Sequence, residues 1–140
     1  MKNLSKLSIL ALLLLLGACS TPADYYQSIM NEIVKVDKIN TNIQKLLREN
    51  KIDEAQTAFL NGQKQTKASL KKLESISAFR EDDSLWKAAI GFVAFYDELF
   101  ADDEPFTDEA FFIKEVEVKD NFLKEQLIFI KKCNLIASRE

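Results

Sequence analysis

The chain has 140 residues, with 19 basic and 22 acidic side chains, two cysteines and no histidine. Without histidine, Ser-His-Asp and Cys-His catalysis are excluded, and so are the usual zinc and haem ligands and the Glu-x-x-His pairs of di-iron bundles. The three glycines form no G-x-G-x-x-G or G-K-[ST] motif, so no nucleotide-binding loop is predicted. The excess of acidic over basic residues does not suit binding to nucleic acid. We therefore expect no enzymatic activity, no cofactor and no nucleic-acid partner.

The N-terminus is patterned as an export signal. Lys2 and Lys6 precede an apolar run over residues 9–16 that is too short to cross a bilayer. The run ends in a tetrad of one leucine, two small residues and a cysteine, namely Leu16, Gly17, Ala18 and Cys19. The tetrad resembles the lipobox of bacterial lipoproteins. This resemblance implies diacylglycerol transfer to the Cys19 sulfur, cleavage after residue 18 and acylation of the new amine.

The predicted division of the chain is a signal peptide over residues 1–18, a lipidated cysteine and linker over 19–23, and one domain over 24–140. An ordinary secretory signal cut near Ala18 and an uncleaved anchor helix are the alternatives. Two acyl chains on one residue suffice for stable anchoring, so a membrane is the predicted partner through the lipid at Cys19. Ser20, rather than aspartate, follows the cysteine, which resembles lipoproteins sorted to an outer membrane.

Cys133 is the second cysteine, and it lies in an apolar pattern. If Cys19 carries lipid, no internal disulfide can form. We interpret Cys133 as a small buried apolar side chain, with an intermolecular bridge or a reactive thiol as the alternatives.

Apolar residues at steps of three and four predict a first helix over residues 24–49 and a second over 53–76. Asp24 is the predicted N-cap of the first, and Asn40 falls on its buried stripe, where it fixes register, turns to the edge or bonds to a neighbour. The inward positions of the second helix are Ala55, Phe59, Gly62, Thr66, Leu70, Leu73 and Ile76. Small residues in its first half predict close approach of a neighbouring helix.

A third helix is predicted from a cap at Asp83 or Ser84 to about residue 100, with an aromatic-rich stripe that indicates the most buried element. Pro105 interrupts the pattern, and a fourth helix is predicted from an N-cap at Thr107 to Ser138. Its predicted inward residues include Phe111, Phe112, Val118, Phe122, Leu123, Leu127, Phe129, Ile130, Cys133 and Ile136.

Four helices joined by short connections predict an all-α, antiparallel, up-down-up-down four-helix bundle. In that topology the lipid, the loop over residues 78–83 and the C-terminus share the membrane-proximal end. The loop over 102–107 then faces outward.

The outward loop is rich in carboxylates over residues 97–109. A calcium site is one interpretation, but the spacing matches no EF-hand, and a solvated acidic loop is favoured. Asp102, Asp103, Glu104 and Phe106 form the predicted partner surface. Five aromatic residues are predicted to be partly exposed, namely Tyr25, Tyr26, Phe79, Phe106 and Phe112.

The order of features resembles a group of small, all-helical bacterial surface lipoproteins of unknown function. The shared features are a tyrosine pair at 25–26, an Ile-Val-x-Val-x-x-Ile-Asn helix at 33–40, alanine and Phe-Tyr pairs at 88–89 and 95–96, and Phe-Thr-Asp-Glu at 106–109. The resemblance implies an envelope protein that acts as a non-enzymatic interaction or structural component. An immunity- or adaptor-type lipoprotein that sequesters a protein, or a bundle that binds a metal or small ligand, remains the alternative.

Overall fold

The computed structural model describes residues 21–80, 82–102 and 109–134. These ranges contain four helices: α1 (Pro22–Arg48), α2 (Ile52–Glu74), α3 (Ser84–Phe100) and α4 (Glu109–Lys132). Within them, the single β-type pairing is an isolated bridge between Phe79 and Asp82. The predicted all-α four-helix bundle is confirmed.

Helix α1 begins two residues earlier than predicted. Thr21 is the N-cap, since its Oγ1 accepts a hydrogen bond from the Asp24 amide at 3.1 Å. Pro22 follows at a position where its missing N–H costs nothing. Asp24 was the predicted cap, and that prediction was wrong; it lies in the first turn, where its charge favours the positive end of the helix dipole. The predicted linker is therefore shorter, because Pro22 and Ala23 are helical.

A Schellman turn joins α1 to α2. The Lys51 amide donates to the Leu46 carbonyl at 2.9 Å and the Asn50 amide donates to the Leu47 carbonyl at 3.0 Å. Asn50 has φ 57°, a left-handed conformation that asparagine tolerates better than most residues. The sequence predicted a turn here, and it is confirmed.

The loop between α2 and α3 is closed by side chains rather than by the predicted caps. Asp83, one of the two predicted caps, is the N-cap residue of α3, but its side chain makes no cap hydrogen bond; instead the Asp82 carboxylate accepts the Ser84 amide at 3.1 Å. The Trp86 indole N–H donates to the Leu73 carbonyl at 2.7 Å and so satisfies an acceptor at the end of α2.

Helix α4 ends at Lys132, six residues before the predicted end at Ser138. Asn134 has φ 54°, which stops the right-handed helix. The predicted N-cap Thr107, the residue Ile136 and the end at Ser138 lie outside the described residues.

Sequential helices are antiparallel neighbours. Helix α1 also comes close to α3 across the bundle, whereas no Cα atom of α1 lies within 8 Å of a Cα atom of α4. Long side chains span the gap: Tyr25 contacts Phe129, and Asn40 contacts Glu115. The four helices thus form a close-packed trio of α1, α2 and α3, with α4 packed closely on α3 and joined to α1 through long side chains.

The core is built mainly from the aromatic and aliphatic stripe of α3. Tyr96 and Val93 are fully buried, as predicted for the most apolar helix. Gly62 lies where α2 meets its neighbours, and a Cβ added there would stand 2.9 Å from Ile39 Cγ2 and 3.1 Å from the ring of Phe100. The close approach predicted for the small residues of α2 is confirmed at this point.

Candidate functional site

The predicted lipidation site and its cleavage flank lie outside the described residues. Those residues are Leu16, Gly17, Ala18 and Cys19. The bundle starts close behind them, because the first helix begins at Pro22, only three residues after Cys19. An extended chain covers at most about 3.6 Å per residue, so residue 19 lies within roughly 11 Å of the bundle.

The start of α1, the α2–α3 loop and the end of α4 meet at one end of the bundle, here called the proximal end. Tyr25, Phe79 and Phe129 pack there as a mutual aromatic triad, with ring centroids 5.2 to 5.6 Å apart. Tyr25 and Phe79 were predicted to be partly exposed, and this was wrong: both are buried. Each covers the other because the loop folds back over the helix ends.

An ion pair fastens the rim of the proximal end. Lys132 Nζ lies 2.7 Å from Asp82 Oδ2 and so joins the end of α4 to the α2–α3 loop. The Lys132 ammonium, together with the Ser84 amide, holds the pKa of the Asp82 carboxyl below its usual range. The same contact raises the pKa of Lys132. Both groups are therefore charged at neutral pH.

Burial raises the pKa of the Tyr25 hydroxyl, an effect that the Phe79 backbone partly offsets and that the charges of Asp82 and Asp83 reinforce. Among the described residues, no atom lies at both the distance and the angle that a hydrogen bond to this hydroxyl requires. A depression of about 880 Å³ lies on the same end. Its described lining combines aromatic, acidic and basic side chains: Pro22, Phe79, Arg80, Asp82, Asp83, Ser84, Phe129, Lys132 and Cys133.

A buried polar cluster joins three helices in the middle of the bundle. Glu115 Oε1 accepts the Tyr96 hydroxyl at 2.6 Å and the Asn40 amide at 3.2 Å. The ammonium of Lys119 lies 3.1 Å from the same oxygen. Burial, followed by the hydrogen bond and charge of Glu115 and the charge of Asp37, raises the pKa of Tyr96. Tyr96 is therefore a neutral donor at any physiological pH.

Two further polar contacts join the other helix pairs. Ser69 donates to Glu32 Oε2 at 2.7 Å between α2 and α1, and Glu32 also pairs with Lys35 at 2.8 Å. Thr66 donates to Asp97 Oδ1 at 2.7 Å between α2 and α3. Each contact fixes the register of the helices that it connects, because a slip would leave a polar group unpaired in the interior.

The arrangement of the Glu115 cluster suits structure rather than catalysis. Its carboxylate is engaged by three donors, and its side chain is only 11 % exposed. A general acid or base must reach the proton of a substrate, whereas this oxygen is buried and already engaged by neighbouring donors. Of the outcomes predicted for Asn40, the bond to a neighbour is the one found, since its amide donates to Glu115.

Sequence analysis missed both buried carboxylates. A pattern was present: Glu115 is spaced four residues after Phe111 and seven before Phe122, on the inward face of α4. Glu32 follows the same rule between Ile29 and Val36. An acidic residue at an inward position of a helix was the available signal.

The predicted partner surface is only partly described. Asp102 is exposed at the end of α3, while Asp103, Glu104 and Phe106 lie outside the described residues. Of the neighbouring carboxylates, Asp97 accepts from Thr66 and Glu98 lies 3.7 Å from Lys114. No group of three metal-ligating side chains occurs within residues 21–80, 82–102 and 110–134.

Helix α4 carries a second apolar face that points to solvent, here called the α4 outer face: Phe112, Val116, Leu123 and Leu127, with Ile113 at its edge. These side chains are 49 to 58 % exposed. Phe112 was correctly predicted to be partly exposed, but its predicted inward position and those of Leu123 and Leu127 were wrong. The inward face is instead set by Phe111, Glu115, Val118, Phe122 and Phe129, which contact or adjoin the core.

None of the four helices is both long enough and apolar enough to span a bilayer, in the part of the chain that the structure describes. Comparison with known proteins gives no relative: no protein-family model, no curated protein and no solved structure matches the chain significantly.

Proposed function

We propose that this chain is a lipid-anchored lipoprotein of the bacterial cell envelope, held in an outer membrane through a diacylglyceryl-modified Cys19. It acts without catalysis, as an interaction or structural component. The observation that carries the proposal is the Leu16-Gly17-Ala18-Cys19 tetrad, which ends an apolar run and stands three residues before a capped helix. A signal that ended inside a folded element would conflict with cleavage; here the tetrad precedes the helix.

The geometry of the proximal end supports anchoring. The α1 start, the α2–α3 loop and the α4 end converge there, so a lipid at residue 19 would place the same end of the bundle toward the bilayer. Helix α4 spans 24 residues, or about 36 Å at 1.5 Å per residue. Asp102 at the opposite end would then face away from the membrane.

The non-enzymatic role is supported by the chain's chemistry. No histidine occurs in the sequence, and the buried carboxylates Glu32 and Glu115 are bonded to neighbouring side chains that hold the helices together. A sequestering role toward a protein partner is the second candidate. It is favoured by the exposed apolar side chains of Phe112 and Ile113, which follow the outward loop within one or two helical turns in the chain.

The two cysteines allow a matched test of the anchor. We expect metabolic labelling with an alkyne fatty acid to mark the wild-type protein and Cys133→Ser equally, and to leave Cys19→Ser unlabelled. Mass spectrometry of the mature protein should find residue 19 at the N-terminus, with three acyl chains or with diacylglycerol alone. An unmodified Cys19 in the native host, or Cys19→Ser that still fractionates with membranes like the wild type, would contradict the proposal.

A further inference from the structure

The α4 outer face is an apolar stripe with a defined charge pattern. At 100° per residue, its four main side chains Phe112, Val116, Leu123 and Leu127 lie within about 60° of one another along the helix. They extend over about 22 Å at 1.5 Å per residue. Each is about half exposed.

Opposite charges flank the middle of this stripe. Lys119 lies about 50° to one side of the stripe centre and Asp120 about 50° to the other, at almost the same height on the helix. Lys119 contacts Glu115 at 3.1 Å, yet an ammonium has three donors and its side chain is 38 % exposed. Asp120 is exposed.

We propose that the α4 outer face binds a second copy of this chain, with the two α4 helices side by side and parallel. A two-fold axis along the helices brings the Lys119 flank of one copy against the Asp120 flank of the other, so two ion pairs form across the stripe. An antiparallel pair would instead bring equivalent flanks of the two chains together, with Lys119 beside Lys119 and Asp120 beside Asp120. The charges therefore select the parallel arrangement.

The parallel arrangement also agrees with the anchor, and in this respect the inference rests on the proposed function. Two chains held in one leaflet have their proximal ends at the same height, so their α4 helices run in the same direction. With the bundle upright, the α4 outer face runs along its side, where a lateral neighbour reaches it more readily than the bilayer does.

The area is adequate for a dimer of anchored chains. Four half-exposed side chains contribute up to roughly 400 Å² on each copy, since an aromatic side chain presents about 150–250 Å² in full and those of valine and leucine somewhat less. Together with the flanks, two copies would bury roughly 1,000 Å², which is the lower end for a specific interface. The association is therefore weak in dilute solution, and it is favoured when both chains are confined to a membrane.

Disulfide cross-linking in isolated membranes tests the dimer in the full chain. In a Cys133→Ser background, we expect oxidation of Leu123→Cys to give at least about five times more covalent dimer than Leu60→Cys. Leu60 is the matched control, because it is a leucine that is 60 % exposed on α2. Equal dimer from both variants, or no dimer from Leu123→Cys, would overturn the proposal.

Charge reversal tests the ion pairs. Adding Asp120→Lys to the Leu123→Cys variant should reduce the dimer at least about fivefold, because it places two positive charges together. Glu117→Lys is the control, since it makes the same change on an exposed residue of α4 about 110° from the stripe centre. A Glu117→Lys loss as large as the Asp120→Lys loss would refute the pairing. Circular dichroism should show that both variants keep the helical content.

Two further outcomes distinguish the dimer from a face that contacts the bilayer, and a failure of the dimer from a failure of the anchor. A fluorophore on Leu123→Cys that is quenched by a lipid-borne quencher, without cross-linking, would assign the face to the bilayer and overturn the dimer. Disulfide dimers of Cys133→Ser alone would show a free thiol at Cys19, which contradicts the anchor and not the dimer. The ratio of Leu123→Cys to Leu60→Cys is then read in whichever fraction holds the protein.

Discussion

Replacing glycine by alanine should affect the stability of the fold differently at the two helical glycines. Gly62 in α2 and Gly91 in α3 are both inside helices, where replacement of glycine by alanine gains about 0.5–1 kcal/mol through backbone entropy. At Gly91 the new Cβ meets nothing within 4 Å. We therefore expect Gly91→Ala to stabilise the fold by about 0.5–1 kcal/mol.

At Gly62 the new Cβ would lie 2.9 Å from Ile39 Cγ2 and 3.1 Å from Cδ2 of the Phe100 ring. The Ile39 methyl is attached directly to a branched Cβ and Phe100 is buried, so neither moves away without shifting its helix. Overpacking of this kind costs about 1–3 kcal/mol. The helix gain is common to both variants, so Gly62→Ala should be less stable than Gly91→Ala by about that packing penalty alone.

Urea unfolding followed by the fluorescence of Trp86, the single tryptophan, measures this difference. The m-values should agree between the variants, so that a change in midpoint reports stability. In an Ile39→Ala background, where the nearest methyl is gone, part of the Gly62→Ala penalty should disappear. If Gly62→Ala is as stable as Gly91→Ala, the close approach of α1, α2 and α3 at Gly62 is wrong.

Two more predictions concern the polar contacts. Tyr96→Phe should destabilise the fold by about 1–3 kcal/mol, because it removes a donor to the buried Glu115 carboxylate. The folded state raises the pKa of Tyr96, so the unfolded chain loses the hydroxyl proton first as the pH rises. The free energy of unfolding should therefore fall above about pH 10. Tyr96→Phe should weaken that fall, which a series of melting curves at alkaline pH would measure. Asp82→Asn should lower the melting temperature slightly at pH 7, and this loss should shrink as the pH falls below about 3.9, because a carboxyl with a lowered pKa stabilises only while ionised. An Asp82→Asn loss that persists in acid would exclude the Lys132 ion pair as its cause.

Helix existence and order were predictable from periodicity because each of the first three helices has one apolar face. The starts of those helices were less predictable, since caps depend on local geometry. Thr21 and Asp24 are both good caps by residue type, and the choice between them was decided by Pro22, whose fixed φ suits the first helical position. Asp82 acts at α3 although it lies before the predicted cap, because the bridge with Phe79 turns its carboxylate toward the Ser84 amide.

The inward face of α4 was not predictable by counting apolar residues. Large apolar side chains occupy two faces of this helix, and the spacing alone fits either of them. The choice was made by contacts far apart in sequence: Glu115 turns inward because Tyr96 and Asn40, 19 and 75 residues away, offer it donors. The acidic residue itself was visible in the sequence, but partners at such a distance leave no mark in the local pattern, so the pattern alone did not show which way its side chain points.

The two candidate sites differ in how sequence encodes them. A lipobox is recognised in an extended precursor, so the order of Leu16, Gly17, Ala18 and Cys19 is sufficient to predict it. The α4 outer face exists only after folding has assigned the other face of the helix to the core. In the proposed dimer the two sites would act together, because an interface of roughly 1,000 Å² lies at the limit for specific association and gains from confinement. It follows that Cys19→Ser, with its outer face intact, should remain monomeric at concentrations where the anchored chain is paired.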